Sequence, residues 1–425
     1  KSEPGREKPG IADTVNALYY PDGSMPEAAG LSLEEKIRDR VLKRLAGKGF
    51  DVGKEIDPDL FAHTFGCLDK AVSKGFGKVE YGTPDYDFLE GLRHNNAVFA
   101  AFKTHRQQNE IHARLFDEDG KRKDFDRFRK DTAGILQDYN VNWLRTEYDT
   151  AVRRARFAAD FRSCRANKDL YPNLEWLPSV SATPREAHRV FYGQIRPLED
   201  PFWDTNYPGN LWNCKCGIRS TDKPVNATGD AAPVQAAPGL DKNPATSGEV
   251  FTESHPYIKG ASIEAKKAVE EFVYKEYTDI PVRNGKLRIH EKHGKNERKE
   301  NIKVGTYLAE KHGYEIDLIE NPDGEKSADS FNRTLGCFQE YKVNGKATVN
   351  AIDMAIKSGS KQANDLVLWI DSDIRLEDLA AAIRPRVIRT GRITHITIVR
   401  NGKDKRYSRE DIIAEGFKIR QADLE

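Results

Sequence analysis

A stretch rich in Pro, Ala and Gly interrupts the sequence at residues 223–250, which read KPVNATGDAAPVQAAPGLDKNPATSGEV. Its few apolar residues follow neither a helical nor a strand period, so we expect no hydrophobic core to form from it. The sequence therefore predicts a linker over 223–254 between two globular regions, and 425 residues are enough for two or three domains. Residues 1–30, rich in Gly, Pro and charge, are predicted to be a loose lead-in.

Residues 31–222 combine a helical pattern with an irregular lobe. Leu33, Ile37, Val41 and Leu45 recur every four residues and form one apolar stripe of a helix. Residues 168–222 show little periodicity, and aromatic side chains are expected to supply the core of this lobe. The aromatic residues of the lobe are Trp176, Phe191, Trp203 and Trp212. Ahead of the lobe, further helices are predicted at 58–72, 88–114, 124–137 and 142–166.

Residues 255–425 alternate between helical and strand patterns. The segment NDLVLWI at 364–370 is typical of a fully buried strand, and TVNAIDMAIKS at 348–358 of an amphipathic helix. This alternation predicts an α/β sandwich, so the whole chain is expected to be a multidomain α+β protein. The other predicted helices are 299–311 and 376–383, and the other predicted strands are 314–319, 327–338, 339–343 and 393–399.

Composition excludes several classes of protein. No apolar run approaches the roughly 18 residues that span a bilayer, so we expect no membrane insertion. A net charge of +1 gives no global attraction to nucleic acid, so any such affinity requires a local basic patch. Five cysteines do not make a disulfide framework in a chain of this length, which favours a reducing compartment. The chain starts at Lys1 without a charged and then apolar segment, which predicts a processed or trimmed N-terminus.

Two acids and a lysine in the second region have the spacing of a cation site. Glu340 and Lys342 are two residues apart on a predicted strand and therefore project from the same face. If Asp329 lies on the neighbouring strand, its carboxylate and that of Glu340 can bind one Mg²⁺, which would activate water for attack on a phosphodiester. Lys342 would stabilise the developing charge, and Glu300 is a further acid that could complete the site.

These residues resemble the D…ExK core of restriction-endonuclease-like nucleases. More narrowly, 295–400 is similar to the tRNA-cleaving toxin domains of contact-dependent inhibition systems. The resemblance implies an α/β nuclease domain, a divalent metal, a tRNA substrate in preference to DNA, and an immunity protein as a partner. Ala328 stands where the family commonly has Pro. The family's catalytic positions fall on Glu300 (with Glu310 as a substitute), Asp329, Glu340, Lys342 and Gln362, the last within the segment Lys361–Gln362–Ala363.

A basic run near the C-terminus favours a polyanionic partner. Nine Lys or Arg residues lie between 384 and 409, against the single acid Asp404. Together with Lys361 they are predicted to bind nucleic acid, and a solvated basic face is the alternative. His290 and His293 have metal-like spacing but lie in a polar segment, so they are expected to be exposed. The run comprises Arg384, Arg386, Arg389, Arg392, Arg400, Lys403, Lys405, Arg406 and Arg409.

Residues 143–222 resemble the Mu-type minor head proteins of tailed phages. The resemblance implies a structural role in the phage head, with portal and capsid proteins as partners, and a location in the virion or the bacterial cytoplasm. Arg145 or Glu147 on the helix is expected to fix neighbouring loops through charge-assisted hydrogen bonds. The matching residues are Arg145, Thr146, Glu147, Trp176, His188, Arg189, Gly193, Pro208, Asn213, Cys214 and Cys216.

Cys214, Cys216 and His188 also admit a zinc site. Closed structural zinc sites have four protein ligands, and only three are present in this region. We therefore expect buried thiols, with zinc as the alternative.

The sequence thus predicts a phage-derived minor head protein that carries a metal-dependent nuclease toxin. One alternative makes the whole chain a structural capsid component with a non-catalytic C-terminal module. Another keeps a toxic ribonuclease but without metal, in which His395 and nearby arginines perform acid–base chemistry.

Overall fold

The computed structural model describes residues 10–23, 31–181, 184, 186–229, 234–321 and 326–424. The chain is a mixed α+β protein that divides into two units. Unit 1 takes Lys1–Lys78 and Leu92–Val273, and unit 2 takes Val79–Gly91 and Tyr274–Glu425. Among the described residues, none of the helices combines the length and apolarity required to cross a lipid bilayer.

Unit 1 is mainly helical and contains a small antiparallel sheet of order β2-β1-β3. A π-helical turn, Asp138–Asn142, leads directly into the long helix α7. The strands are β1 (Asn173–Leu177), β2 (Ile195–Pro197) and β3 (Gly217–Thr221). The helices are α1 (Ile11–Tyr19), α2 (Glu35–Ala46), α3 (Pro58–Phe76), α4 (Pro84–Ala113, in unit 1 from Leu92), α5 (Phe125–Asp131), α6 (Ala133–Gln137), α7 (Trp143–Ala166), α8 (Glu186–Arg189), α9 (Phe202–Thr205), α10 (Pro244–Ser247), α11 (Pro256–Lys259) and α12 (Ile263–Val273).

The predicted helices of unit 1 form for the reasons that the sequence indicates. Asp57 caps α3 by accepting hydrogen bonds from the backbone N–H groups of Asp59 and Leu60, and Pro58 occupies the first turn. Val41 and Leu45 of the α2 stripe are fully buried in the core. In α3, Gly75 allows close packing against α7, because a Cβ there would lie 2.2 Å from the carbonyl oxygen of Val152.

Two segments expected to lack a core are packed into unit 1. Helix α1 lies within the predicted lead-in, yet Val15 and Tyr19 have no exposed surface. In the predicted linker, Leu240 and Phe251 are buried, and the Phe251 ring stacks on Phe99 with centroids 4.2 Å apart. The structure thus differs from both predictions, because a periodicity test detects faces of regular elements and misses single side chains buried from irregular backbone. Residues 1–9, 24–30 and 230–233 of these segments lie outside the described residues.

Unit 2 is built on a mixed eight-stranded sheet of order β11-β10-β9-β8-β7-β6-β5-β4. The parallel pairs are β5–β6, β8–β9 and β9–β10, and the remaining neighbours are antiparallel. The strands are β4 (Tyr277–Ile280), β5 (Lys286–His290), β6 (Glu315–Leu318), β7 (Ser330–Asn332), β8 (Cys337–Asn344), β9 (Asp365–Ile370), β10 (His395–Arg400) and β11 (Lys403–Ser408). The helices are α13 (Arg298–His312), α14 (Val349–Gly359), α15 (Leu376–Thr390), α16 (Arg409–Ile413) and α17 (Gln421–Leu424).

The sheet carries an apolar core on each face. Leu366 and Leu368 of β9 point to one face and pack with α14 and α15. Val367 points to the other face and packs with α13. The α/β sandwich predicted for this region is therefore confirmed, although β4, β5 and β11 were not predicted and the predicted strand 327–338 is only three residues long, as β7. The restriction-endonuclease-like topology stays a prediction.

Candidate functional site

Strands β7 and β8 bring Asp329 and Glu340 into one buried cluster. Ser330 pairs with Gln339 across the two strands, so the residues on either side, Asp329 and Glu340, are also neighbours. Both side chains have no exposed surface. The two acids that the sequence predicted to form a pair are therefore neighbours in the structure.

Asp329 is held by three donors. Its Oδ1 accepts hydrogen bonds from Asn301 Nδ2 at 2.8 Å and from Asn321 Nδ2 at 3.2 Å. Its Oδ2 accepts from the backbone N–H of Tyr341 at 2.7 Å. Burial raises the pKa of Asp329, because removal from water disfavours the charged carboxylate more than these donors favour it.

One carboxylate oxygen of Glu340 has hydrogen-bonding partners, and the other has none. Its Oε1 lies 2.6 Å from Lys342 Nζ and also accepts from the side-chain amide of Gln362. Its Oε2 is buried without a hydrogen-bond partner. Burial, with a smaller effect of the nearby Asp329 charge, raises the pKa of Glu340 to about 8. A buried carboxylate oxygen without a donor is unusual and fits a bound cation.

His293, which the sequence analysis expected to be exposed, and Asn301, which it did not single out, support the cluster. His293 Nδ1 donates to the carbonyl oxygen of Ile319 at 2.7 Å, which leaves Nε2 to accept from Asn301 Nδ2 at 3.1 Å. Asn301 in turn donates to Asp329. The expectation that His290 and His293 are exposed is wrong, since only 4% and 3% of their surfaces are accessible. The unpredicted strand β5 carries His290 inwards.

Glu300 does not join the cluster, and Glu297 lies nearer. Glu300 is exposed on the first turn of α13. Glu297, at the residue before this helix, has Oε1 3.8 Å from Lys342 Nζ, and its charge contributes to the raised pKa of Asp329. The acid that stands beside the predicted pair is therefore three residues earlier than the sequence pattern indicated.

Most arginines of the basic run form ion pairs or hydrogen bonds within unit 2. Arg386 and Arg389 pair with Asp353, and Arg406 Nη2 lies 2.5 Å from Asp365 Oδ2. The exposed positions are Lys361, Arg389, Arg392, Lys403 and Lys405, of which Arg389 and Arg392 have partners within unit 2. Four arginines donate to backbone carbonyl oxygens, namely Arg384 to Ile413, Arg392 to Gly82, Arg400 to Ile374 and Arg409 to Val387. The run is thus partly structural, and the exposed Lys361 and Lys405 are its best candidates for contact with phosphate.

His395, proposed for metal-free chemistry, lies on β10 with Nδ1 3.8 Å from Asp365 Oδ2. Its side chain is one-third exposed, and burial together with the Arg406 charge lowers its pKa. Asp365 is itself committed to Arg406 and to Gln339 Nε2 at 2.9 Å. His395 therefore faces a carboxylate that is already neutralised.

In unit 1, His188, Cys214 and Cys216 converge. His188 Nδ1 lies 3.4 Å from Cys214 Sγ and 3.7 Å from Cys216 Sγ. His188 and Cys214 are buried, and the His188 ring packs against Trp176. The hydrogen bond from Cys216, with a further contribution from His188, lowers the pKa of the Cys214 thiol. Among the described residues, this is the one group of three possible ligands close enough to share a metal ion.

The Arg-Thr-Glu segment of α7 organises a second buried network. Glu147 Oε2 lies 2.5 Å from Lys103 Nζ, and both side chains have no exposed surface. Glu147 Oε1 accepts from the hydroxyl groups of Tyr19 at 3.0 Å and Tyr257 at 3.2 Å. This confirms that the helix fixes neighbouring segments, including α1 and the residues that follow the predicted linker.

Residues 106–219 match the family model of Phage Mu protein F like proteins. This Mu F-like segment contains Glu147, Trp176 and the His188–Cys214–Cys216 cluster, and it covers about a quarter of the chain.

Two curated relatives are similar in sequence to part of this chain. A capsid assembly protein F of Escherichia phage Mu is 31% identical over 77 residues, which is 18% of this chain and 18% of that protein. The Mu-like prophage FluMu F protein of Haemophilus influenzae is 28% identical over 109 residues, covering 24% of this chain and 25% of that protein. The chain thus spans about a fifth to a quarter of the length of these relatives.

One solved structure is similar to about a quarter of the chain. It is a CdiA-CT/CdiI toxin and immunity complex from Burkholderia pseudomallei, 19% identical, covering 26% of this chain and 83% of that one. Its TM-score of 0.22 is too low to assign a fold to this protein.

Proposed function

We propose that this chain is a phage head assembly protein whose unit 2 is a metal-dependent nuclease. The match of residues 106–219 to Phage Mu protein F like proteins supports the first half, together with the capsid assembly name of the phage Mu relative. In this proposal the partners of unit 1 are portal and capsid proteins, and the chain resides in the phage head.

The nuclease half is supported by one observation above all. Glu340 is fully buried beside Asp329, and its Oε2 has no hydrogen-bond donor. Lys342 and Gln362 satisfy Oε1 only, so Oε2 stays unsatisfied at a cost in stability that a bound cation would offset. Asp329 and Glu340 would hold the divalent metal, with Mg²⁺ as the first choice for oxygen ligands.

Individual residues of the chain would then have separate roles in phosphodiester cleavage. When bound, Mg²⁺ supplies a Lewis acid for the phosphodiester and an acidified water. Gln362 and Lys342 orient Glu340 through Oε1, which leaves Oε2 available. Lys342 provides positive charge where negative charge develops on phosphate, and the exposed Lys361 and Lys405 attract the polyanion. The resemblance to tRNA-cleaving toxins makes tRNA the preferred substrate over DNA and implies an immunity partner.

The decisive test is to incubate the purified full chain with total tRNA and with genomic DNA, with Mg²⁺ and with EDTA. The proposal requires cleavage that depends on Mg²⁺ and that is lost in Glu340→Gln. Cleavage that persists in EDTA would favour the His395 alternative. No cleavage of either substrate would favour a non-catalytic module in a structural capsid protein.

A further inference from the structure

We propose that His188, Cys214 and Cys216 bind one Zn²⁺ whose fourth coordination position opens into a basic cavity of unit 1. This site lies outside the carboxylate cluster and is independent of any nuclease activity. The sequence disfavoured zinc because it offered three ligands where a closed structural site has four. The geometry removes that objection, since three protein ligands and one open position also form a well-known class of zinc site.

The two nitrogen–sulfur distances in the cluster match those around a tetrahedral zinc ion. Zinc–sulfur and zinc–nitrogen bonds of about 2.3 and 2.0–2.1 Å, at a tetrahedral angle, put sulfur and nitrogen about 3.6 Å apart. The two observed Nδ1–Sγ distances are 3.4 and 3.7 Å. Two thiols and one imidazole favour zinc over Mg²⁺ or Ca²⁺, which prefer oxygen.

The histidine is oriented as a ligand. His188 Nε2 lies 2.8 Å from Asn210 Oδ1, and Asn210 Nδ2 donates to the carbonyl oxygen of Thr205 at 3.4 Å. The amide oxygen of Asn210 therefore faces the ring and accepts from Nε2–H. Nδ1 is then unprotonated and directed at the two sulfur atoms, which is the arrangement that outer partners impose on metal-binding histidines.

A cavity beside the three ligands indicates that the fourth coordination position of the zinc ion is open. His188, Cys214 and Cys216 all line one cavity of about 750 Å³. No fourth His, Cys, Asp or Glu atom joins them in the part of the chain that the structure describes. Arg153 and Arg156 of α7 line the same cavity, which also contains Asp22 and the ion pair of Arg145 with Asp149. The fourth ligand is therefore water or an anion that these arginines attract.

Metal content tests the site. The full chain, expressed with zinc and dialysed, should contain about one zinc per chain. Cys214→Ser, Cys216→Ser and His188→Ala should each lose most of it. Cys67→Ser, a half-buried cysteine of unit 1 outside the cluster, should retain it. Equal zinc content in all variants, or none in the wild type after zinc is added back, would overturn the site.

Cobalt substitution of the wild type gives a readout that does not depend on whether variants fold. Replacement of zinc by Co²⁺ should produce a thiolate-to-cobalt charge-transfer band and the visible bands of a tetrahedral ion. Azide should shift the visible bands, because it enters the open position. Absence of the charge-transfer band contradicts thiolate ligation, and visible bands that azide leaves unchanged contradict the open position.

Discussion

The backbone N–H of Tyr341 donates to Oδ2 of Asp329 at 2.7 Å, so the strand that carries Glu340 also fixes the other acid of the pair. Strand β8 thus carries one carboxylate and binds the other, and the two cannot move apart without loss of this hydrogen bond. Substitutions that keep shape and remove charge are therefore the cleanest probes of this cluster.

Asp329→Asn and Glu340→Gln should each lower Mg²⁺-dependent cleavage by more than about 100-fold, since even outer partners of metal ligands are worth 10–100-fold. Asn and Gln keep the side-chain volume, so the unfolding transition should remain cooperative. Lys342→Met should reduce turnover while sparing Mg²⁺ binding, measured by calorimetry. Wild-type rates in both acid variants would remove the carboxylate pair from the mechanism.

Glu297 and Glu300 provide a matched pair on the same segment. Both side chains are exposed, but Glu297 Oε1 lies 3.8 Å from Lys342 Nζ, whereas Glu300 lies one turn further along α13. We expect Glu297→Gln to change the rate of cleavage or its Mg²⁺ dependence, and Glu300→Gln to leave both unchanged. The opposite result would restore Glu300 to the role that the sequence pattern predicted.

Regular elements with a strong period could be predicted from the sequence, and α2 and α7 lie within two residues of the expected bounds. Strand β11 could not, because its Lys and Arg side chains hide the strand period. Its position at the edge of the sheet explains this composition, since lysines on an edge discourage pairing with other chains.

The candidate site likewise contains residues that the sequence could predict and residues that it could not. Asp329, Glu340, Lys342 and Gln362 come together because a short pattern on adjacent strands fixes their spacing. His293 was expected to be exposed, yet its burial depends on Asn301 and the carbonyl of Ile319, which are 8 and 26 residues away in sequence. No local pattern reports such partners, so buried polar contacts of this kind remain beyond sequence reasoning.

Phe251 tests the packing of the segment that the sequence assigned to a linker. Its side chain is 1% exposed and stacks on Phe99, so Phe251→Ala should cost about 3–5 kcal/mol of unfolding free energy. Val225→Ala, at an exposed position of the same segment, should change it by less than about 0.5 kcal/mol. Denaturant unfolding followed by tryptophan fluorescence measures both. Equal, small effects would mean that the segment is a linker after all.

The basic run should divide into binding and structural members. Lys405→Ala removes an exposed charge and should weaken tRNA binding and lower the salt slope by about one, without loss of stability. Arg386→Ala should instead destabilise unit 2, because Asp353 loses its main partner. Filter binding across a salt series and thermal unfolding separate the two. Equal salt slopes for wild type and Lys405→Ala would place nucleic acid elsewhere.

His255 should make unit 1 less stable in mild acid. Burial, with a smaller effect of the Lys103 charge, lowers the pKa of this histidine well below its usual 6.5. Below about pH 6.5 this imidazole therefore binds a proton in the unfolded chain but stays neutral in the folded chain. The unfolding free energy consequently falls as the pH falls, by at most about 1.4 kcal/mol per pH unit. The ring is held neutral by its contacts, since Nδ1 accepts from the backbone N–H of Tyr257 and Nε2 lies 2.9 Å from the Tyr19 hydroxyl.

His255→Asn should flatten this dependence, because Asn cannot titrate and can still accept at the start of α11. Its overall stability should fall, since the smaller side chain leaves space beside Phe99. His112→Asn, at the end of α4, should keep the wild-type slope. Denaturant unfolding at pH 5.5, 6.5 and 7.5 measures the effect, and four of the five tryptophans report on unit 1. A wild-type slope retained in His255→Asn would assign the acid sensitivity to another group.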